Sequence, residues 1–256
     1  MSLSNKVNFF LFEEIVKKNF ASKYKDSVLG IMWSVLKPLL VMTILTIIFS
    51  TVFSRKIENF PVYYLSGKCL FDFFTSGVGV SMNAIRGNKN ILERTAAPMN
   101  VFVLGGVISE FLNFIISLII LIAVMIVTKA PFHFNTIPLS IIPVISLIMM
   151  TIGIGFILSI LYVYYTDVKH LWSVVTMILM YASALFYPME IIGEPYHQYM
   201  ILNPLFWVID QFRHFAVWGT IPDLLNIFNS LLLSSIILVL GIIVFKTHKN
   251  KVAMKF

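Results

Sequence analysis

The folding options of this chain are set by long runs without a charged residue. Leu39–Phe53 and Ile115–Val127 contain none. A helix rises about 1.5 Å per residue, so about 20 apolar residues cross the roughly 30 Å hydrocarbon core of a bilayer. Six windows suit that length: Ile31–Phe53, Tyr63–Ile85, Val101–Thr128, Ile137–Tyr164, Leu171–Tyr187 and Leu224–Phe245. The second and fifth carry more polar residues than the others. The expected fold is an all-α integral membrane protein with six transmembrane helices. Composition agrees: 59% of the 256 residues are hydrophobic and 12% charged, against about 25% charged in soluble domains. A soluble fold this apolar could not cover its surface.

The formal net charge is +7, but the basic residues sit at segment ends, as in multi-pass proteins with basic cytoplasmic loops. That placement argues against a nucleic-acid partner. The segment before the first window holds Lys6, Lys17, Lys18, Lys23 and Lys25; the second connection holds Arg86, Lys89 and Arg94; the fourth holds Lys169; the tail holds Lys246, Lys249, Lys251 and Lys255. The other side holds Arg55, Lys56, Lys129 and Arg213. Both termini are therefore expected on the cytoplasmic side of the cytoplasmic (inner) membrane. Glu13, Glu14, Lys17 and Lys18 interrupt the first thirty residues, so no cleavable signal peptide is expected and the first span acts as insertion signal.

Residues 1–30 read as a cytoplasmic amphipathic interface helix, and 31–256 as a single transmembrane domain. On a helix, Phe9, Phe12, Val16 and Phe20 fall to one side with Glu14, Lys18 and Lys25 opposite, although Glu13 intrudes. Such a helix lies on the membrane with lysines toward anionic lipid, or packs on a partner. The connection Pro188–Asp223 is too broken by proline for a span and too apolar for a solvated loop. Tyr196–Leu202 and Leu205–Val217 suggest short helices dipping into the outer leaflet, with Pro204 in a first turn. Irregular backbone at membrane depth persists only against protein or water. This segment lines or caps a wet path, or anchors as an interfacial hairpin.

Catalytic signatures are missing. There is no GxxxxGK[ST] phosphate loop, dinucleotide fingerprint, HExxH or GxSxG. The five histidines have no metal spacing, and the single cysteine, Cys69, forms no framework. Glu190, Glu194 and Asp210 lack the spacing of a glycosyl-transfer pair. No catalytic residue, metal or cofactor is assigned to this chain. Ionisable groups inside spans are costly and point to function. Lys68 and Asp72, four apart, pair on one helix face, and Glu110 sits beside Ser109 and Asn113. Gly77, Gly79, Gly105, Gly106, Gly153 and Gly155 permit close helix approach. Phe71, Phe73, Phe74, Tyr162 and Tyr164 lie within windows and offer faces on which sugar rings stack, although most such aromatics only pack. No internal repeat suggests a secondary transporter.

Several stretches resemble one family in register. Tyr24, Ser27-Val28-Leu29-Gly30, Trp33 and Pro38-Leu39 resemble the entry to the first span of ABC exporter permeases for O-antigen, capsule and teichoic acid. Asn88–Phe102 resembles their coupling segment. Ser109-Glu110-Phe111-Leu112-Asn113 resembles their Ser-Glu-x-x-Asn, and Tyr165–His170 their Arg-Asp-x-Lys turn, with Thr166 where Arg is usual. Asn203-Pro204-Leu205 with Arg213 resembles their outer Asn-Pro-Leu...Arg element. Glu93 is a further departure.

The resemblance implies a homodimer of six-span subunits above a separate nucleotide-binding ATPase that holds ATP and Mg. It implies an undecaprenyl-pyrophosphate-linked polysaccharide as cargo, and short outer gate helices within about 188–223. It assigns Arg86, Asn90, Glu93, Arg94 and Pro98 to ATPase coupling, and Lys23, Lys25, Trp33 and Lys37 to a lipid-headgroup entrance. Phe71, Phe73, Phe74, Glu110, Tyr162 and Tyr164 become glycan-pore candidates; Tyr187, Asn203, Pro204 and Arg213 become outer-gate residues. The alternatives are an exporter of a drug or small lipid, a membrane-embedded glycosyltransferase and a proton-coupled transporter.

Overall fold

A computed structural model of the chain describes residues 3–25, 27–53, 57–95, 97–189, 193, 200, 202–253 and 255. Every regular element among them is helical. In chain order these are α1 (Leu3–Ser22), α2 (Met32–Phe53), α3 (Phe60–Ala84), α4 (Lys89–Arg94), α5 (Met99–Val127), α6 (Ile141–Tyr164), α7 (Val168–Ala182), α8 (Pro204–Arg213) and α9 (Leu224–Ala253). Four helical stretches are long and apolar enough to cross a membrane: Met32–Phe49, Met99–Val127, Ile137–Tyr164 and Leu224–Val252. α3 is long enough but carries Lys68 and Asp72, and α7 has only 15 residues.

α3 is the centre of the bundle, because its apolar positions run round the helix. Leu65, Leu70, Phe74 and Val78 are buried against Val107, Phe114 and Leu121 of α5 and Leu147 and Met150 of α6. Glycines set the closest crossings. A β-carbon on Gly153 of α6 would lie 2.5 Å from the Ile237 carbonyl oxygen of α9, and Gly241 faces Gly153 in return. A second contact puts Gly155 against Ser81 of α3, 2.8 Å from the nearest atom by the same construction. These backbone-to-backbone contacts exploit dispersion where lipid removes the hydrophobic drive for helix association.

The bundle has two distinct ends. At the basic end, Ile15, Ile85, Phe102, Phe156, Ile160, Phe245 and Val252 form one cluster that gathers α1, α3, α5, α6 and α9. At the opposite end Asn59 caps α3, accepting from the Val62 amide, and its amide group donates to Thr128 at the end of α5. α2 and α7 sit outside this core and have no fully buried residue among those described.

Three boundaries differ from the hydropathy windows. α9 continues beyond Phe245 to Ala253, because Lys246, Lys249 and Lys251 extend a helix past the apolar run while Val252 stays buried. α7 stops at Ala182, short of Tyr187. The stretch Leu205–Val217 resolves into α8 and a π-helical turn, His214–Trp218, ended by Gly219 at φ +66°. Tyr196–Leu202 falls largely outside the described residues. Of the apolar face expected on α1, Phe12, Val16 and Phe20 are half-buried and Phe9 is exposed. Beside that face Ile15 is buried against Gly105 of α5, whose missing side chain leaves room for it.

Candidate functional site

The chain from Lys23 to Gly30 joins α1 to α2 and leads into a polar groove between α2, α3 and α5. The groove holds about 350 Å³. Helical spacing builds its walls: Trp33, Lys37 and Val41 recur at four-residue intervals on α2, and Tyr64, Lys68, Asp72 and Ser76 do so on α3. Glu110, Asn113 and Ser117 form the α5 wall. Lys68 pairs with Asp72. Lys23 Nζ lies 2.8 Å from Glu110 Oε2, which also accepts from Asn113 Nδ2 at 3.1 Å. Tyr24 Oη donates to Asn113 Oδ1 at 2.6 Å. Glu110 is 6% exposed. Lys37 has no hydrogen-bond or ion-pair partner among the described residues. Of the entrance candidates, Lys23, Trp33 and Lys37 meet in this groove; Lys25 stays exposed outside it.

Beside it, the segment Arg86–Pro98 crosses the basic end. Arg86 Nη1 donates to the Tyr162 carbonyl at 3.3 Å and its guanidinium lies 4.9 Å from the Tyr162 ring. Lys89 and Glu93 are 3.4 Å apart along α4. Asn90 and Arg94 are exposed, and Pro98 is the residue before α5. Lys18 of α1 donates to Asn88 Oδ1 at 3.0 Å. Asn88 was not singled out by sequence reasoning, and an Asn in a loop gives no signal for such a bond. Lys17 is tied back to Glu13 at 2.7 Å, which raises its pKa above the ordinary lysine value.

The aromatic pore candidates do not come together around one passage. Phe71, Phe73 and Phe74 are buried within the bundle, where Phe73 packs against Phe111 and Phe114, and Phe74 against Trp172. Phe73 alone of the three borders the groove. Tyr162 and Tyr164 are at the basic end, next to Arg86 and Lys255. Glu110 is held by Lys23, away from Tyr162.

At the opposite end, Arg213 is 2% exposed, and its guanidinium stacks 3.6 Å above the Tyr63 ring. It donates to the carbonyls of Ala184 at 3.0 Å and Tyr63 at 3.1 Å. Tyr63 Oη in turn shares its one proton between the Ala184 and Tyr187 carbonyls, at 2.8 and 2.7 Å. Asn203 caps α8 by accepting from the Leu205 amide at 3.0 Å, and donates to the Ala182 carbonyl and Ser183 Oγ at 3.1 and 2.8 Å. The Asn-Pro pair is a helix start: a polar cap followed by a residue that needs no N–H. Arg213, Tyr63 and Asp210 border a cavity of about 610 Å³. Sequence reasoning missed Tyr63 and Gln211; Gln211 is fully buried and bonds Asn226 and Ser230 of α9. Its only signal was a polar residue on the inner face of a short apolar helix. Among the described residues no cluster of His, Cys, Asp or Glu is arranged to hold a metal.

The profile of a family described as ABC-2 type transporter matches residues 11–216. The chain is 28% identical to an O-antigen export system permease protein of Klebsiella pneumoniae over 228 residues, covering 86% of this chain and 87% of the relative. It is 24% identical to the protein of the same description from Myxococcus xanthus, covering 83% and 82%. It is 22% identical to a polysialic acid transport protein of Escherichia coli, covering 93% of each.

Proposed function

This chain belongs to the ABC-2 type transporter family, and from that premise we propose that it is the channel-forming permease subunit of an exporter of lipid-linked polysaccharide. The observation that carries the reading is the alignment with permeases named for O-antigen and polysialic acid transport, which runs through most of both chains. The basic end faces the cytoplasm, in line with the lysines and arginines gathered there. α2, α3, α5, α6, α7 and α9 are the six spans. α3 carries Lys68 and Asp72 on the wall of the groove, and α7 dips through a shorter apolar path. α8 and its π-helical turn form an outer gate with Tyr187, Asn203, Pro204 and Arg213.

The chain works as a homodimer with a separate ATPase subunit that binds ATP and Mg. The dimer seam is assigned to α2 and α7, the two spans with no buried residue among those described. The ATPase acts on α4 and its flanks, and Lys23, Lys25 and Lys37 draw the pyrophosphate of an undecaprenyl carrier toward the entrance. Deleting the gene in its host tests the reading. The expected result is loss of a surface polysaccharide with intracellular accumulation of its lipid-linked form, restored by the wild-type chain. An unchanged surface glycan and no accumulation overturn it.

A further inference from the structure

Two cavities meet at the Lys23–Glu110 pair. The groove of about 350 Å³ runs toward mid-membrane between α2, α3 and α5. A second, more open cavity of about 590 Å³ lies under α1 beside Asn83, Gly87 and Asn88 at the basic end. Lys23, Ser76 and Glu110 border both. The ion pair is thus a partition between a space at the basic end and a polar seam at membrane depth.

Among the described residues the charges along the seam do not balance: Lys68 has Asp72 and Lys23 has Glu110, while Lys37, exposed on the α2 wall of the groove, has no partner. A buried carboxylate held by one lysine and one amide, in a groove that a second lysine also lines, is the kind of setting a bound anion takes. Glu110 occupies the position of that anion. We propose that Glu110 is an internal competitor for a phosphate group. A phosphate arriving at Lys37 displaces the carboxylate from Lys23, joins the two lysines and opens the partition between the cavities. Tyr24 and Asn113 make the exchange reversible, because Asn113 keeps one hydrogen bond to Glu110 when Lys23 leaves. The inference rests on the proposed orientation, with the basic end at the headgroup level of the cytoplasmic leaflet. It requires no particular glycan.

Trp33 borders the groove and reports its occupancy. The full chain in phosphatidylcholine nanodiscs is titrated with brominated phosphatidic acid or brominated phosphatidylcholine, and quenching of Trp33 is isolated by difference with Trp33→Phe. Phosphatidic acid is expected to half-quench at a mole fraction about tenfold lower than phosphatidylcholine, as two charge-assisted contacts imply. Lys37→Gln abolishes that preference. Glu110→Gln moves half-quenching several-fold lower, because Lys23 is left unopposed. Glu110→Asp, which keeps the charge but shortens its reach, moves it the same way by less and serves if the glutamine variant does not fold. Lys169→Gln, exposed in the first turn of α7 and outside both cavities, changes the value less than twofold. Displacement of the quencher by millimolar inorganic pyrophosphate identifies a seat for free phosphate; resistance to it identifies a seat that needs the lipid tail. Equal quenching by both lipids, equal effects of Lys169→Gln and Lys37→Gln, or weaker binding in both Glu110 variants overturns the proposal. Since no export is measured, phosphate binding by a chain whose deletion leaves surface glycan intact would sink the export reading alone.

Discussion

Arg213 presents a test in which the conservative substitution is the damaging one. Its guanidinium is buried, stacks on Tyr63 and donates to two carbonyls. Both carbonyls have other donors: Tyr63 Oη reaches Ala184, and Ser66 Oγ reaches Tyr63. Arg213→Met therefore strands no acceptor. It loses two charge-assisted bonds of about 1.5–3 kcal/mol each and removes a buried cation whose desolvation costs several kcal/mol. The net loss is about 1–2 kcal/mol, or roughly 2–8 °C in a chain of this size. Arg213→Lys keeps the charge and loses the planar fork and the stacking. A buried ammonium with fewer partners costs about 3–5 kcal/mol. The measurement is thermal unfolding in detergent followed by tryptophan emission, at one scan rate because unfolding is irreversible in many such proteins. A lysine variant as stable as the methionine variant refutes the reasoning. Gly67 supplies a cross-check, since a β-carbon there would lie 2.6 Å from Arg213 Nη2. Gly67→Ala should destabilise the wild type more than it destabilises Arg213→Met.

Gly153→Val drives a methyl-bearing carbon into the α9 backbone and should cost at least about 1–3 kcal/mol, visible as a smaller monodisperse peak on size-exclusion chromatography. Asn203→Ala removes a helix cap and two donated bonds and should lower stability by about 2–3 kcal/mol; Asn203→Asp, which keeps the cap, should lose less in the same melt. Arg94→Ala touches no partner among the described residues and should leave the melt within about 0.5 kcal/mol of wild type. On the proposed coupling role it still reduces surface polysaccharide while ATPase activity of the complex persists.

Helices were legible because charge-free runs allow one backbone solution in lipid, in which every carbonyl finds its partner within the helix. Pro204 after Asn203 announced the start of α8 by the same kind of local chemistry. Packing direction was not legible. Ile15 of α1 is buried because Gly105, ninety residues away, leaves room for it, and no periodicity within α1 records that contact. Phe71, Phe73 and Phe74 read as surfaces for a sugar ring from composition. Their place in the structure follows from α3 being ringed by other helices, a fact of topology. Glu110 was legible as a costly charge, but its partner was not, because nothing in the sequence separates Lys23 from the four other lysines before the first span.

The contacts of α1 and of Lys23 and Tyr24, which follow it, fasten this stretch to α5, although α2 comes next in sequence. Ile15 seats on Gly105, Lys23 on Glu110 and Tyr24 on Asn113, three attachments along α5, and Lys18 adds a fourth to Asn88 beside α4. α2 is held more lightly: none of its described residues is buried, and Leu39, Met42, Leu45 and Phe49 pack half-buried on the core from outside. On the proposed coupling role, a push on α4 is delivered first to α1 and α5 and reaches α2 through that lighter packing. The wall of the groove that moves least with the coupling segment is the one that carries Lys37. Displacement of α5 relative to α2 thus changes the separation of Lys37 from the Lys23–Glu110 pair. A spin-label distance between Lys37→Cys and Asn113→Cys in a Cys69→Ala background should shift when the ATPase partner binds ATP, while the distance between Asn8→Cys and Asn100→Cys, across α1 and α5, should not.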